Sequence, residues 1–235
     1  MISFGMPLLV GALLNALILT VNRFFLNIQM GTEQVAVFAL AMKIAAIMSI
    51  VLQAFTLAWQ PFVYSRINKP GAFSQFPRAL NFYLIGMLAC GAVLAVFSRE
   101  IFLVIAPQTY MAGAGLVGLL LLSEVISRTT YITDIGNVYF KKMYFNTIGL
   151  VLSLIVNILL NVLLIPPYGP WGSAAARVIG SFVLAGVTWF FSARQMPLPW
   201  KPWFSLLIVT SYMGLLWISA LIPGYENFFT TIFVK

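Results

Sequence analysis

The stretch NVLLIPPYGPWGSAAARVIGS, residues 161–181, is a hydrophobic run stopped by PPYGPWG and resumed by small residues and one cation, Arg177. Pro166 and Pro167 predict the end of one helix, because proline lacks an amide N–H and clashes with the preceding turn. Gly169 and Gly172 permit tight backbone geometry, and Pro170 suits the first position of a following helix. Tyr168 and Trp171 fall where aromatic rings sit at the headgroup level of a bilayer. Past the turn, Gly172, Ala176 and Gly180 recur every four residues, the spacing of small residues that lets membrane helices approach closely. The stretch therefore predicts a tight antiparallel hairpin of two membrane helices. Arg177 lies fewer than two turns past it, within reach of the interface by snorkelling.

The rest of the chain agrees. Of 235 residues, 62% are hydrophobic and 8% charged, with mean hydropathy +1.01. Soluble domains are about half apolar and about a quarter charged, so this composition cannot cover a water-exposed surface. There is no histidine, and the five acidic residues are scattered, which excludes a histidine-based metal site or a Ser-His-Asp triad within the chain. The single cysteine, Cys90, builds no disulfide framework. The formal charge of +8 would suggest nucleic acid for a soluble protein. Here the basic residues lie mainly between apolar runs, so the membrane explanation takes precedence and no nucleic-acid partner is expected.

A spanning helix needs about 20 mostly apolar residues. Seven segments qualify, at about 4–24, 34–57, 79–98, 112–136, 144–165, 171–192 and 203–222. The first is longer than a signal-peptide core and has no Lys or Arg before Arg23, so it reads as a span. Runs this long and unbroken contradict a transmembrane barrel. The expected fold is an all-α integral membrane protein of about seven helices. One set of alternate links holds Arg66, Lys69, Arg78, Lys141, Lys142, Arg194 and Lys201, and the other holds Arg23, Arg99 and Lys235. By the positive-inside rule the N-terminus and the 59–78 link are expected in the cytoplasm. The apolar EIFLVIAP within 98–111 is too short to cross and is expected to lie at the interface.

Polar groups at membrane depth are costly and normally face a cavity or a partner. On the fourth segment Glu124, Ser127, Arg128, Tyr131 and Asp134 fall within about a third of the helix circumference. Glu124 and Arg128 stand four apart, in the favourable order for an ion pair. Lys43 lies well inside the second apolar run, with Gln53 further along. Asn15 and Asn22 share a face of the first segment, which ends at Arg23, and Ser153, Asn157 and Asn161 stack along the fifth. The asparagines suit interhelical hydrogen bonding. Lys43, Arg128 and Arg177 together suit a water-accessible cavity receptive to an anion, whereas Arg23 suits either that cavity or the interface.

With these residues in view the chain resembles a family. NVLLIPPYGPWGSAAA resembles the N-x-x-LIP-x-YG-x-x-GAA signature of polysaccharide and oligosaccharide-lipid flippases, in the multidrug/oligosaccharidyl-lipid/polysaccharide exporter superfamily. FGMPLLVGALLNALILTVNRFFL resembles that family's G-x-P…DR-x-x-I helix, MGTEQVAVFALAMKIA its glycine-to-lysine segment, and LAWQPFVYSRI its aw-x-Pf motif. The four occur in the family's order and cover most of residues 4–190.

The resemblance implies a C-terminal-type lobe of six helices over 1–192, one additional helix and tail over 193–235, and a two-lobed relative built around a cationic cavity. It implies movement of an isoprenoid-pyrophosphate-linked glycan from the cytoplasmic leaflet by alternating access, with no cofactor. Arg23 and Lys43 match the family's arginine and lysine, while Asn22 replaces the acidic residue usual before that arginine. Rocking one lobe against another needs a second lobe. A fragment, a split-gene product and a half that pairs with an N-terminal lobe or a second copy all stay open.

The leading expectation is a flippase for a lipid-linked oligosaccharide or polysaccharide repeat unit in the cytoplasmic membrane. Lys43, Arg128, Arg23 and Arg177 are its candidate substrate-binding residues, and Glu124 and Asp134 its candidate sites for proton or sodium coupling. A multidrug exporter of the same superfamily, whose substrates are usually cations, is disfavoured by these basic residues. A non-catalytic subunit or inactive fragment is the other alternative. A membrane glycan polymerase or acyltransferase would need a large polar loop or a catalytic cluster, and neither is visible.

Overall fold

A computed structural model describes residues 2–67, 69, 72–199 and 202–220; Lys201, Lys235 and the tail from Pro223 lie outside them. The described chain is helical: α1 (Ile2–Met30), α2 (Thr32–Arg66), α3 (Ala72–Val96), α4 (Ser98–Ile105), a 3-10 turn (Gln108–Gly113), α5 (Leu116–Arg128), α6 (Thr130–Thr133), α7 (Ile135–Tyr139), α8 (Tyr144–Tyr168), α9 (Pro170–Gln195) and α10 (Pro202–Ala220). Among the described residues, six helical stretches are long and apolar enough to cross a membrane, and a shorter apolar helix covers Trp203–Ile218. The protein is an all-α, multi-pass membrane protein of about seven helices.

The fourth span is the centre of the bundle. Of its most apolar window, 78% is buried, against 11% for the first span. Leu119 to Leu122 are all buried on α5, which packs against α2, α3 and α9, while α1 lies against α8 and α2. A helix enclosed by its neighbours has no lipid-facing stripe to maintain, which is why the first half of α5, residues 116–122, is apolar all round. α10 packs on α3 and reaches α5 through the Tyr212 hydroxyl, which donates to the Gly118 carbonyl at 2.9 Å.

The opening stretch forms the hairpin, but its stop lies later than the prolines suggest. Pro166 and Pro167 sit inside α8, which runs on to Tyr168. Gly169, at φ +56°, makes the turn alone, and Pro170 starts α9 as expected. Each proline forfeits one bond of the helical ladder, but the Gly169 N–H still donates to the Ile165 carbonyl at 2.7 Å, and the positive φ of Gly169 then ends the helix. The small residues beyond are packing, as expected. A Cβ on Gly172 would collide with the Leu164 backbone carbonyl, and the Ser153 hydroxyl donates to the Gly180 carbonyl at 2.7 Å.

Two further boundaries are corrected. The expected link 59–78 is mostly helix, because α2 continues through Pro61 to Arg66 and α3 already contains Pro77. Aromatic packing across the helix pair overrides the proline signal there. Phe55 lies 4.9 Å from Tyr83 and Trp59 lies 6.0 Å from Phe76, centroid to centroid, and the Trp59 indole N–H donates to the Tyr131 carbonyl at 3.0 Å. The fourth segment, expected as one helix over 112–136, breaks at Thr129 and at Asp134. Hydroxyls of Thr129 and Thr130 donate to the carbonyls of Ile126 and Ser127. Such local bonds compete with the helical ladder and tighten it. The expected interfacial segment is α4, with Phe102 buried and Leu103, Val104 and Ile105 exposed.

Candidate functional site

A cavity of about 420 Å³ opens between α1, α5, α8 and α9. Its wall is polar for a membrane interior. Asn15 comes from α1, Ser123, Glu124, Ser127 and Arg128 from α5, Asn146, Ser153 and Asn157 from α8, and Arg177 and Ser181 from α9. The stripe read along the fourth segment and the asparagine stack of the fifth meet here because α5 and α8 both pack on α9.

The central contact joins two helices. Arg177 Nη2 lies 2.5 Å from Glu124 Oε1, and Arg177 Nε donates to Ser123 Oγ at 3.1 Å. Arg177 is 9% exposed, so it does not snorkel outward: α9 directs it into the bundle. Its Nη1 is buried without a hydrogen-bond partner. The expected Glu124–Arg128 pair is likewise replaced by the interhelical one. The reason is the difference in burial. A guanidinium nine-tenths removed from water needs the carboxylate more than one that remains half-hydrated. Arg128 is half-buried in the same cavity, with its guanidinium carbon 5.8 Å from the Tyr131 ring centroid. No ion pair of Arg128 occurs among the described residues. Two guanidinium groups against one carboxylate leave the cavity one positive charge in excess.

A second, smaller cavity of about 210 Å³ lies between α2, α6, α7 and the start of α8, and Tyr131, Met143 and Asn146 belong to both walls. Asp134 lines it, 4% exposed. Its carboxylate accepts hydrogen bonds from the amides of Asn137 and Asn146, the latter at 3.3 Å, and Gln195 in turn donates to Asn137. Asp134 is thus separate from Glu124, with Asn146 between the two cavities.

Lys43 and Arg23 are not brought to either cavity. Both are exposed, Lys43 on α2 and Arg23 on α1. The same turn of α2 buries Ala41, Met42, Ile44 and Ala45, which faces Lys43 away from the bundle. Asn161 does act as interhelical glue: its Nδ2 donates to Asn22 Oδ1 of α1 at 2.8 Å, and within α8 it donates to the Asn157 carbonyl at 2.7 Å. Five of the polar residues named here escaped the sequence reading: Ser123, Asn137, Asn146, Ser181 and Gln195. Asn137 and Asn146 flank the basic link YFKKMY, at the edges of the fourth and fifth expected segments, where a polar residue is not conspicuous. Their only signal was proximity to Asp134.

Among the described residues no group of three or more Cys, His, Asp or Glu side chains could hold a metal ion. Compared with family models, curated proteins and solved structures, the chain gives no match.

Proposed function

We propose that this protein is a membrane transporter, a flippase for an isoprenoid-pyrophosphate-linked oligosaccharide or polysaccharide repeat unit. The observation that carries the reading is Arg128, a guanidinium without a carboxylate partner among the described residues, in a polar cavity that also holds the Glu124–Arg177 pair. An uncompensated cation at membrane depth is costly and marks a ligand path. Guanidinium groups suit phosphate oxygens because their N–H groups bond them in pairs. Ligand pockets run about 300–1,000 Å³, so a cavity of about 420 Å³ suits a diphosphate headgroup, with the sugars extending beyond it and the alkyl chain staying in lipid.

The same excess of positive charge disfavours a multidrug exporter of organic cations. The exposed Lys43 and Arg23 favour a further component. A lysine some eleven residues into α2 is costly against lipid and inexpensive against a protein partner or a shared water-filled space. In this reading α1 and α2 face an N-terminal lobe or a second copy, in a cytoplasmic membrane with the N-terminus inside. The test is complementation of a flippase-deficient strain by the chain alone and with a candidate partner lobe. Restored glycan export that disappears in Arg128→Ala supports the reading, and export unaffected by Arg128→Ala overturns it.

A further inference from the structure

Resting on the anionic-ligand reading above, we propose that Glu124 is a proton-controlled latch on the cavity. Ionised, it holds Arg177 in the ion pair; protonated, it releases that guanidinium to bind phosphate oxygens together with Arg128. One proton from solvent adds to the Glu124 carboxylate as one anion binds, and no covalent bond to the ligand forms.

Three observations carry this. Arg177 is already short of partners: Nε is taken by Ser123, Nη2 by Glu124, and the buried Nη1 has none. A guanidinium has five N–H donors and no acceptor, so once the pair opens and the guanidinium moves, a ligand oxygen can take the donors that protein atoms leave unfilled. Second, among the described residues Glu124 is the only carboxylate lining this cavity, and its side chain is 15% exposed, so a proton can reach it through the cavity. Third, the charge count changes in the useful direction. With Glu124 ionised the cavity carries one excess positive charge; with Glu124 neutral it carries two, matching a doubly charged phosphate group.

The other charged and titratable groups that line the cavity around Glu124 come from three helices. α5 adds Arg128, α6 adds Tyr131 and α9 adds Arg177. From α3, the Tyr83 hydroxyl is occupied, donating to the Val125 carbonyl at 3.0 Å. Among the described residues, α1 and α8 supply only uncharged groups to the wall, and α2 supplies none. Asp134 lies on the neighbouring cavity, held by Asn137 and Asn146.

The test measures farnesyl diphosphate binding to the purified chain in lipid nanodiscs from about pH 5.5 to 8.5, for wild type and Glu124→Gln. The probe titrates identically in both samples, so their difference isolates Glu124. Wild type should gain affinity on acidification relative to the variant, approaching about tenfold per pH unit where one proton is coupled. Glu124→Gln should bind at pH 8.5 at least as tightly as wild type does at pH 5.5. Binding with the same pH profile in both proteins overturns the latch and leaves the anion reading standing. No binding by either protein at any pH overturns both. Should Glu124→Gln fail to fold, infrared difference spectra of wild type decide the matter. A protonated-carboxyl band arising on saturation supports the latch, and its absence overturns it.

Discussion

Glu124 on α5 reaches across to Arg177 on α9, 2.5 Å away, and not to Arg128 one turn along its own helix. The contact ties the central helix to the hairpin, in a region where water is scarce enough to make an unpaired charge expensive.

Removing one partner of that pair should therefore cost more than removing both. Arg177→Ala leaves a carboxylate in a mostly buried setting, and breaking a buried pair from one side costs about 3–5 kcal/mol. The double variant Glu124→Ala/Arg177→Ala should recover part of that loss, with a coupling of about 0.5–3 kcal/mol. Thermal unfolding in detergent measures both. Additive losses would show that the pair contributes nothing as a unit.

Arg128 should behave in the opposite way. It has a ring contact and, among the described residues, no ion pair, so Arg128→Ala should cost stability no more than about 1 kcal/mol. Loss of its charge-assisted hydrogen bonds to the ligand, each about 1.5–3 kcal/mol, should weaken farnesyl diphosphate binding by roughly 10–100-fold. Calorimetric or fluorescence titration beside a thermal melt separates the two effects.

Lys43 is exposed and lines neither cavity. Lys43→Leu should leave the unfolding temperature and the diphosphate affinity of the isolated chain unchanged, the latter within about twofold, since surface substitutions away from packing features are usually worth less than about 0.5 kcal/mol. A large loss of affinity in the isolated chain would return Lys43 to the ligand site.

The hairpin glycines should divide by what a side chain would meet. Gly172→Val drives a Cβ into the backbone of Leu164, whereas nothing lies within 4 Å of a Cβ on Gly186 of the same helix. Gly172→Val should lower the yield of folded protein sharply, while Gly186→Val should not. Size-exclusion profiles of the two variants provide the comparison.

Much of the architecture was legible because membrane helices report themselves by length. A long apolar run must hydrogen-bond its backbone internally, and only a helix does so within one segment. The spans, the hairpin turn at PPYGPWG, the close packing of Gly172 and Gly180 and the short helix α4 all follow from local chemistry. Boundaries were less legible where tertiary contacts compete with that chemistry. The second segment reads as ending near 57, yet Trp59 bonded to the Tyr131 carbonyl and the aromatic stack around it carry α2 onward through Pro61.

What the sequence determined by itself was an all-α membrane bundle and a polar stripe on its fourth span, since composition sets the solvent and helical periodicity sets the face. What only the tertiary structure decided was which charges share that face with other helices. Periodicity assigns Glu124, Arg128 and Arg177 to sides of their own helices, but it does not say which neighbour each side meets or how much water remains there. Packing α5 at the centre, with α8 and α9 folded back beside it, buried Arg177 against Glu124, left Arg128 at the cavity wall and turned Lys43 outward. The charge left over in that cavity follows from this packing.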